Sequence, residues 1–243
     1  ELRTPLNAIL GFSQLPQLEE KEPLSATQRD GIQLIQDAGT HLLQLINEML
    51  DLSWIEAGRA ELTLAPLRVA DAVRECVALV QPMATARSVH IANEADSPPL
   101  AVLADALRIK QVLVNLVSNA IKYNRPSGSV RIYCAELPDS RVEIRVEDDG
   151  IGLTPQQLEN LFQPFNRLGL DQIHSEGTGL GMVITKGLVE VMSGEISVRS
   201  APRQGTVVSV RLPRAIAPAR TRLATTPTSS AGVAQYGERT VVY

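Results

Sequence analysis

The sequence predicts an α+β protein in which an antiparallel helical hairpin precedes an α/β sandwich. Residues 26–57 carry apolar side chains at alternating spacings of three and four, which is the period of a long helix. From residue 61 onward, short runs with alternating apolar residues are separated by helical segments, as in a sandwich of strands and helices. With 243 residues, of which 44% are hydrophobic, the chain is long and apolar enough for two folded domains.

The helical hairpin is the first predicted unit. Residues 1–15 have a helical pattern that Pro16 is expected to end, because proline lacks the N–H that an inner helical turn needs. Ser25 and Gln28 have the spacing of a capping box at the start of the second helix. Gly58 stands where that helix is expected to stop, since glycine readily adopts the left-handed conformation that ends a helix.

The second helix of the hairpin carries a heptad seam of apolar residues. Its members are Ile35, Ala38, Leu42, Leu45, Met49 and Leu52. Apolar residues at this spacing pack against another helix. Two helices alone are too thin to bury a core, so we expect the hairpin domain, residues 1–60, to dimerise into a four-helix bundle.

The second predicted unit, residues 66–213, is a sandwich of one helical layer over a mixed sheet. Its predicted helices are 68–86, 105–123 and 179–192. Strands are expected at 61–65 and 89–92. Period-two alternation predicts further strands around Val130, Ile132 and Cys134, around Val142, Ile144 and Val146, around Ile196 and Val198, and around Val208, Val210 and Leu212.

Composition and charge argue against several functions. The 23 basic and 27 acidic side chains give a net charge of −4, which does not suit non-specific binding to nucleic acid. No apolar run reaches the roughly 18 residues of a membrane span, and the first residues lack the pattern of a secretion signal. Cys76 and Cys134 have no metal-ligand spacing and are too few for a disulfide framework. We therefore expect a cytoplasmic chain without contact to nucleic acid or membrane, while an anchor upstream in the parent protein stays open.

The sequence reads as a fragment of something longer. It has no initiating methionine and starts within a helical pattern. Residues 214–236 are rich in Ala, Thr, Ser, Pro and Arg, which predicts a flexible linker. Residues 237–243 then turn from charged to apolar, as a buried parallel strand begins, so we expect another domain to start there.

A glycine-rich segment precedes the last predicted helix. Residues 177–181 read Gly-Thr-Gly-Leu-Gly. Glycines let the backbone approach an anion closely, and a helix start offers unpaired N–H groups. The Gly-Lys-Ser/Thr of a Walker loop does not follow. Taken alone, the segment is compatible with a phosphate site or with a turn of purely structural role.

Two polar segments have the residue types of a nucleotide site. Residues 147–152, Glu-Asp-Asp-Gly-Ile-Gly, end a predicted strand and are either an Asp-Gly turn or a pocket carboxylate that accepts an amine hydrogen bond from a base. Within residues 115–123, Asn115 and Asn119 share one helix face. This pair of amides suggests hydrogen bonding or a hard-cation site, with capping or solvated amides as the alternative.

Together these segments resemble the catalytic domain of sensor histidine kinases. Residues 161–167, Leu-Phe-Gln-Pro-Phe-Asn-Arg, lie between the two glycine segments and complete a set similar to the N box, first glycine box, F box and second glycine box. The opening residues 1–7, Glu-Leu-Arg-Thr-Pro-Leu-Asn, resemble the phosphoacceptor motif His-Glu-x-x-Thr-Pro. The resemblance covers about residues 1–213 and implies a sandwich of the histidine kinase/gyrase ATPase type, with ATP and Mg²⁺ as cofactors.

The resemblance implies a role for each residue of the nucleotide site. Asp148 would accept a hydrogen bond from the adenine amino group, and Asn119 would ligate Mg²⁺ as a hard, neutral oxygen donor. Arg167 would stabilise charge on the transferred phosphoryl group, with a surface arginine as the alternative. The implied cofactor-binding residues are Asn115, Asn119, Lys122, Tyr123, Asp148, Gly150, Gly152, Gly177, Thr178, Gly179, Leu180 and Gly181. Residues 168–176 are expected to form a mobile lid.

Two residues of the hairpin receive implied catalytic roles. Glu1 would be the general base that activates the phosphoacceptor histidine, and Thr4 would position water for dephosphorylation. The acceptor histidine of the motif would come immediately before Glu1, so this sequence starts one residue too late to include it. His41, His90 and His174 lie elsewhere in the pattern and are expected to have structural or solvated roles.

The resemblance implies the core of a two-component sensor histidine kinase. Its reaction would be autophosphorylation from ATP on a histidine, followed by transfer to a receiver aspartate. The implied partners are a second copy of the chain and a receiver domain, in cis or on a response regulator, and residues 237–243 resemble the first strand of such a receiver, as in a hybrid histidine kinase. The alternatives are a degenerate nucleotide-binding homologue, which the intact Asn119 and Asp148 disfavour, and another ATPase of the same superfamily, which the hairpin disfavours.

Overall fold

The structure, a computed structural model, describes residues 6–7, 9–13, 24–58, 62–95, 99–169 and 177–216. Within these ranges the helices from residue 26 onward are α1 (Ala26–Glu56), α2 (Val69–Ala86), α3 (Ala106–Lys122), the short α4 (Pro155–Glu159) and α5 (Gly181–Val191). The strands are β1 (Ala65–Arg68), β2 (His90–Asn93), β3 (Ala101–Ala104), β4 (Ser129–Glu136), β5 (Arg141–Asp148), β6 (Glu195–Ser200) and β7 (Thr206–Ala215). No helix in these ranges is long and apolar enough to cross a membrane.

Helix α1 begins and ends at the residues that the sequence predicts. The Ser25 hydroxyl accepts from the Gln28 N–H at 3.2 Å, and the Gln28 side chain accepts from the Ser25 N–H at 2.9 Å. This reciprocal pair is the predicted capping box. At the other end, Gly58 follows the helix with a φ of 60°, which is the left-handed conformation that stops a helix.

Helical residues 9–13 pack against α1 and form the hairpin. The Gln36 side-chain amide donates to the Ser13 carbonyl at 3.2 Å. Gly39 is buried, and a Cβ at this position would lie only 2.7 Å from Cδ2 of Leu10. The absence of a side chain at Gly39 therefore lets the two helical segments approach closely.

A mixed seven-stranded sheet forms the second unit within the described residues. The strand order is β1-β3-β7-β5-β4-β2, and β6 pairs with β7. β2 runs parallel to β4, and the other pairs are antiparallel. β7 connects the sheet, because it pairs with β5 from Thr206 to Pro213 and with β3 at Arg214 and Ala215.

The core lies between one face of this sheet and the helices α2, α3 and α5. The strands alternate as predicted, and the buried residues of their inner face include Val130, Ile132, Val142, Ile144, Val146, Val210 and Leu212. Helix α3 buries Ile109, Val112, Leu113, Leu116, Val117, Ala120 and Ile121. The outer face of the sheet is polar, and its centre holds Glu143, a carboxylate only 1% exposed between Arg145 and Arg211.

An apolar stripe on α1 is open in the single chain. Ile35, Leu42 and Met49 of the predicted seam are 49%, 50% and 51% exposed. They recur every seven residues, so they lie on one side of the helix. Their exposure leaves a surface that a further helix would cover.

Two predicted boundaries were wrong, and two short elements were missed. The strand predicted at 61–65 is β1, Ala65–Arg68, which takes its position from antiparallel pairing with β3. Neither β3 nor the short helix α4 was predicted. β7 continues to Ala215, so residues 214 and 215 belong to the sheet and not to the predicted linker 214–236, because both pair with β3.

Other predictions lie outside the described residues. These are the positions of Glu1, Thr4 and Pro16, the remainder of the predicted linker at 217–236, and the strand predicted at 237–243. Residues 170–176 of the predicted lid also lie outside them.

Candidate functional site

A cavity of about 350 Å³ opens between α3, β5, the glycine segment before α5 and the C-terminal half of α1. Most predicted site residues line it. These are Asn115, Asn119, Lys122, Tyr123, Asp148, Gly152, Arg167, Gly177, Thr178, Gly179 and Gly181. The structure thus brings together segments that are more than sixty residues apart in the chain.

Asp148 ends β5 and is largely buried at one side of this cavity. Its Oδ1 accepts from the Gly150 N–H at 2.9 Å and from the Thr206 N–H at 3.2 Å. Burial raises the pKa of this carboxyl to about 6, the two backbone donors oppose the rise, and the nearby Asp149 and Glu147 carboxylates add to it. Asp148 is therefore ionised at neutral pH and acts there as a pure hydrogen-bond acceptor.

Glycine residues allow the backbone to close around Asp148. A Cβ at Gly152 would lie 1.9 Å from the Ala201 carbonyl oxygen, and one at Gly205 would lie 1.9 Å from the carbonyl oxygen of Asp148. Both glycines have positive φ, at 65° and 76°. A side chain at either position would collide with backbone and also strain the local conformation, so both positions require glycine.

Asp149 has a different task from its neighbour. Its Oδ1 accepts from the Ser129 N–H at 2.7 Å, and its Oδ2 accepts from the Arg125 guanidinium at 2.8 Å. Burial alone would raise the pKa of Asp149, but the Ser129 and Arg125 donors lower it overall. Asp149 thus fixes the turn after α3 to the start of β4, and only Asp148 faces the cavity.

Two asparagines and a threonine form a hydrogen-bonded row between α3 and α5. Asn119 Nδ2 is 3.4 Å from Asn115 Oδ1, and Asn115 Nδ2 donates to the Thr185 hydroxyl at 2.7 Å. The asparagines lie on one face of α3, as their spacing predicts, and both line the cavity. Thr185 is only 1% exposed.

The glycine segment supplies the other side of the cavity. Gly177 and Gly179 have φ values of 133° and 75°, which glycine adopts without strain. Helix α5 follows directly, and the side chain of its N-cap residue, Leu180, makes no capping hydrogen bond. Lys122 Nζ lies 3.0 Å from the position that a Cβ of Gly177 would take. A helix start with open N–H groups beside an ammonium group is suited to bind an anion.

Two of the predicted cofactor-binding residues do not line the cavity. The side chain of Leu180 is fully buried in the core, and its N–H donates to the Thr178 hydroxyl at 3.2 Å. Gly150 is also buried, and a Cβ there would lie 2.4 Å from the Tyr123 carbonyl oxygen. Both residues are surrounded by packed protein behind the cavity wall, so they support the site without lining it.

Helix α1 contributes residues that the sequence did not indicate. Gln44 and Glu48 line the cavity, and the Glu48 carboxylate accepts a hydrogen bond from the Thr178 hydroxyl. One turn further, Asp51 accepts from Arg108 Nη1 at 3.1 Å and from Gln111 Nε2 at 2.8 Å. A carboxylate of the hairpin thus contacts the glycine segment directly.

The same face of α1 makes a cation–π contact and an apolar contact with the sandwich. The guanidinium of Arg108 lies 4.4 Å from the centre of the Trp54 ring. Ile55 packs against α5 at Gly187, where a Cβ would lie 2.6 Å from the Ile55 side chain. We call Glu48, Asp51, Trp54 and Ile55 the docking face of α1.

Sequence reasoning also missed cavity residues on α2 and β7. Met83 lies on α2 and Arg87 follows this helix directly, and Arg87 Nη1 donates to the Lys122 carbonyl at 3.0 Å. Thr206 reaches Asp148 because the two residues are paired across β5 and β7. This contact is made across the sheet, so no local sequence pattern indicates it.

The oxygen donors of the cavity are compatible with a metal ion that is bound mainly by the oxygens of a bound ligand. Among the described residues, no group of three or more His, Cys, Asp or Glu side chains could hold a metal ion. Mg²⁺ needs few protein ligands, because it keeps waters and binds phosphate oxygens. The amide oxygen of Asn119, in a cavity bordered by the glycine segment, fits such a shared site.

Comparison with known families agrees with this geometry. Residues 104–216 match the family model described as histidine kinase-, DNA gyrase B-, and HSP90-like ATPase. The sandwich is therefore an ATPase domain of this class. Residues 1–58 match the model of the His Kinase A (phospho-acceptor) domain. The chain belongs to the sensor histidine kinases, of which it carries the transmitter core.

Individual relatives extend over both units. A sensor-like histidine kinase of Rhizobium meliloti (strain 1021) is 42% identical over 215 residues, which is 88% of this chain and 41% of the relative. The histidine protein kinase DivJ of Caulobacter vibrioides is 39% identical over 228 residues, covering 94% of this chain and 38% of DivJ. The chain spans less than half the length of these relatives.

A solved structure shows the same fold. Full-length ShkA, crystallised in complex with AMPPNP, matches with a TM-score of 0.75 at 32% identity. The match covers 90% of this chain and 45% of ShkA. The predicted fold class, a helical hairpin followed by a histidine kinase-type sandwich, is confirmed.

Proposed function

We propose that this chain binds Mg-ATP in the described cavity and transfers the γ-phosphoryl group to a histidine of the hairpin domain. The observation that carries the proposal is the placement of Asp148 and Asn119 in one cavity with the glycine segment. A buried acceptor, an amide oxygen and open N–H groups match the three parts of Mg-ATP: base, metal and phosphates.

Each residue has a specific task in this proposal. The Asp148 carboxylate accepts from the adenine amino group, which disfavours guanine because guanine has a carbonyl at the equivalent edge. Asn119 offers its amide oxygen to Mg²⁺, which would neutralise phosphate charge when bound. The N–H groups of residues 177–181 and the Lys122 ammonium group hold the phosphates. Arg167, which lines the same cavity, stabilises charge on the transferred group.

The hairpin supplies the acceptor side of the reaction. We propose that the phosphoacceptor histidine is the residue before Glu1, that Glu1 acts as its general base, and that Thr4 positions water in the reverse, dephosphorylating reaction. The phosphoryl group then passes to an aspartate of a receiver domain. The match of residues 1–58 to the phospho-acceptor domain model supports this assignment.

The proposal is tested first by nucleotide binding and then by labelling. Isothermal titration should show that the 243-residue chain binds Mg-ATP. A chain extended by one histidine before Glu1 should incorporate label from γ-labelled ATP in an acid-labile, base-stable form. The same extended chain with Asn119→Asp is the control, because the change alters the charge at the metal and should reduce labelling.

Each outcome decides between the proposal and its alternatives. A parent chain that does not bind Mg-ATP would refute the assignment of the cavity. An extended chain that binds Mg-ATP and is never labelled would favour a nucleotide-binding homologue without kinase activity.

We also propose that the chain forms a homodimer through the apolar stripe of α1. The support is the half-exposed row of Ile35, Leu42 and Met49, since a second copy would bury three large apolar side chains on each helix.

A further inference from the structure

We propose that Thr185, on α5, is a positioning residue that sets the orientation of the Asn119 side chain for metal binding. This inference rests on the proposed function, since it assigns a task to a residue behind the proposed Mg²⁺ ligand. Thr185 does not line the cavity, and it acts through Asn115.

The first step is the buried hydroxyl of Thr185. This residue is only 1% exposed, so its hydroxyl needs a partner inside the protein. Asn115 Nδ2 donates to it at 2.7 Å, across the contact between α3 and α5. A threonine hydroxyl within a helix commonly gives its own proton to a carbonyl of the preceding turn, which leaves its oxygen to accept from Asn115.

The second step is the orientation of the Asn115 amide. Because its Nδ2 is bound to Thr185, its Oδ1 is directed elsewhere, and this oxygen lies 3.4 Å from Nδ2 of Asn119. Gly181, one turn before Thr185 on α5, gives the amide room: a Cβ there would lie 2.6 Å from Asn115 Oδ1. Position 181 thus leaves space for the amide, and position 185 decides which end of it faces Asn119.

The third step is the consequence for Asn119. An amide nitrogen that donates to Asn115 places the amide oxygen on the other branch of the planar group, away from Asn115. The oxygen is then presented as a ligand to a hard cation. Without the Thr185 hydroxyl, Asn115 is free to turn over, and its Nδ2 would compete with the metal for the Asn119 oxygen.

Two substitutions separate the hydroxyl from the packing of Thr185. Thr185→Val keeps the volume and removes the hydroxyl, whereas Thr185→Ser keeps the hydroxyl and removes a methyl group. Isothermal titration of each chain with ATP, once with Mg²⁺ and once with EDTA, gives the factor by which Mg²⁺ improves binding. We expect Thr185→Val to reduce this factor roughly fivefold, the effect of one hydrogen bond, with binding in EDTA unchanged. Thr185→Ser should behave like the parent.

A second readout follows Asn119 directly. The side-chain amide signals of Asn119 in ¹⁵N NMR should shift with Mg²⁺ at saturating ATP in the parent and in Thr185→Ser, and should need more Mg²⁺ in Thr185→Val. Ile184→Val, a neighbouring change that removes one buried methyl group on α5, is the packing control and should match the parent.

The outcomes distinguish this inference from the proposed function. A parent chain whose ATP binding does not respond to Mg²⁺ would refute the proposed metal site and the inference with it. If ATP binding to the parent responds to Mg²⁺ and binding to Thr185→Val responds equally, the inference is overturned while the proposed metal site stands. A loss in Thr185→Ser equal to or larger than that in Thr185→Val would also overturn it, because packing would then be the cause. If Thr185→Val does not fold, Thr185→Ala against Thr185→Ser makes the same comparison.

Discussion

At the scale of single residues, Asp148 and Asp149 show how neighbouring carboxyl groups take different roles. Asp149 is paired with Arg125 and the Ser129 N–H, which lower its pKa and commit it to the turn after α3. Among the described residues no cation is paired with Asp148, and burial raises its pKa to about 6. Asp148, whose charged form is disfavoured by burial, is the residue that faces the cavity. Perturbed pKa values of this kind are common for groups that bind or react.

The raised pKa predicts that nucleotide binding depends on pH. The carboxylate is the acceptor for adenine, so protonation below about pH 6 removes the interaction. We expect the affinity for Mg-ATP to be level above this value and to fall about tenfold per pH unit below it. Titration calorimetry of the parent from about pH 8 down to about pH 5 measures this profile.

The Asp148→Asn variant is the control for this profile. It keeps an oxygen for the Gly150 and Thr206 N–H groups but loses the charge, so binding at neutral pH should weaken by about 1.5–3 kcal/mol. The pKa of Asp148 is higher in the folded chain, so the charged form destabilises the fold at pH 7. This cost decreases as the pH falls below about 6 and is gone only below the ordinary value of 3.8. The unliganded variant should therefore be at least as stable as the parent at pH 7. A steep pH profile in the variant would show that another group titrates.

Some residues of the site were predictable from the sequence and others were not. Asn119 and Asp148 belong to local segments whose spacing and residue types are visible in the chain. Thr206 and Thr185 act only because β7 lies beside β5 and α5 lies beside α3. A contact made across a sheet or between helices leaves no local pattern, so these residues needed the structure.

At the scale of elements, the strength of the local signal decided which predictions were confirmed. Helix α1 has a capping box and a stop glycine, and both bounds are set by neighbours in sequence. Strands β1 and β3 have four residues each, too few to show a period, and their register comes from pairing with each other. Helix α4 has only five residues, so its capping box at Thr154 is its main sequence signal.

Two glutamates of the sheet should differ in how much their loss destabilises the fold. Glu143 is almost completely buried, with Arg145 at 2.5 Å and Arg211 at 3.1 Å. Glu143→Ala should lower the free energy of unfolding by about 1.5–3 kcal/mol, because two guanidinium groups lose a charged partner.

Glu136→Ala is the control, at an exposed ion pair of the same sheet. Glu136 pairs with Arg214, and both side chains are close to half exposed, so solvent screens the pair. Its loss should cost less than about 1 kcal/mol. Urea denaturation measures both variants, and equal losses would show that the burial of Glu143 carries no extra stability.

At the scale of the whole molecule, the docking face holds the hairpin against the sandwich. Asp51 is the centre of this contact, with hydrogen bonds to Arg108 and Gln111. We expect Asp51→Ala to loosen it, so that amide hydrogen exchange rises in the C-terminal half of α1 and around the start of α5.

A control variant on the same helix separates docking from helix stability. Within the described part of the chain, Asp37 accepts a local, exposed hydrogen bond from Gln33, four residues earlier, and no other hydrogen bond. Asp37→Ala should leave exchange at α5 unchanged. If Asp51→Ala also left it unchanged, the docking face would not be a stable contact in solution.

The proposed dimer makes a separate prediction for the apolar stripe. Leu42 is half exposed in the single chain, so Leu42→Glu is compatible with the fold of one chain. In a dimer the new carboxylate would be buried without a partner, at a cost of several kcal/mol. Light scattering should therefore find a dimeric parent and a monomeric variant.

Leu79→Glu is the control for this prediction. Leu79 is also exposed but lies on α2, away from the stripe. This variant should remain dimeric. A monomeric parent, or a dimeric Leu42→Glu chain, would contradict the proposed interface.

The stripe and the docking face share one helix, and their angular separation has a mechanical consequence. At 3.6 residues per turn, the stripe through Leu42 and Met49 lies roughly 140° around α1 from the docking face of Glu48, Asp51 and Ile55. The two faces look in nearly opposite directions, so a partner chain and the sandwich can both contact α1 at the same time. Because the helix is stiff, a rotation about its own axis that repacks one face must also move the other. A twist that enters at the partner's side would draw the Glu48 carboxylate across the glycine segment, so rotation of the hairpin helix and access to the cavity are coupled through the docking face.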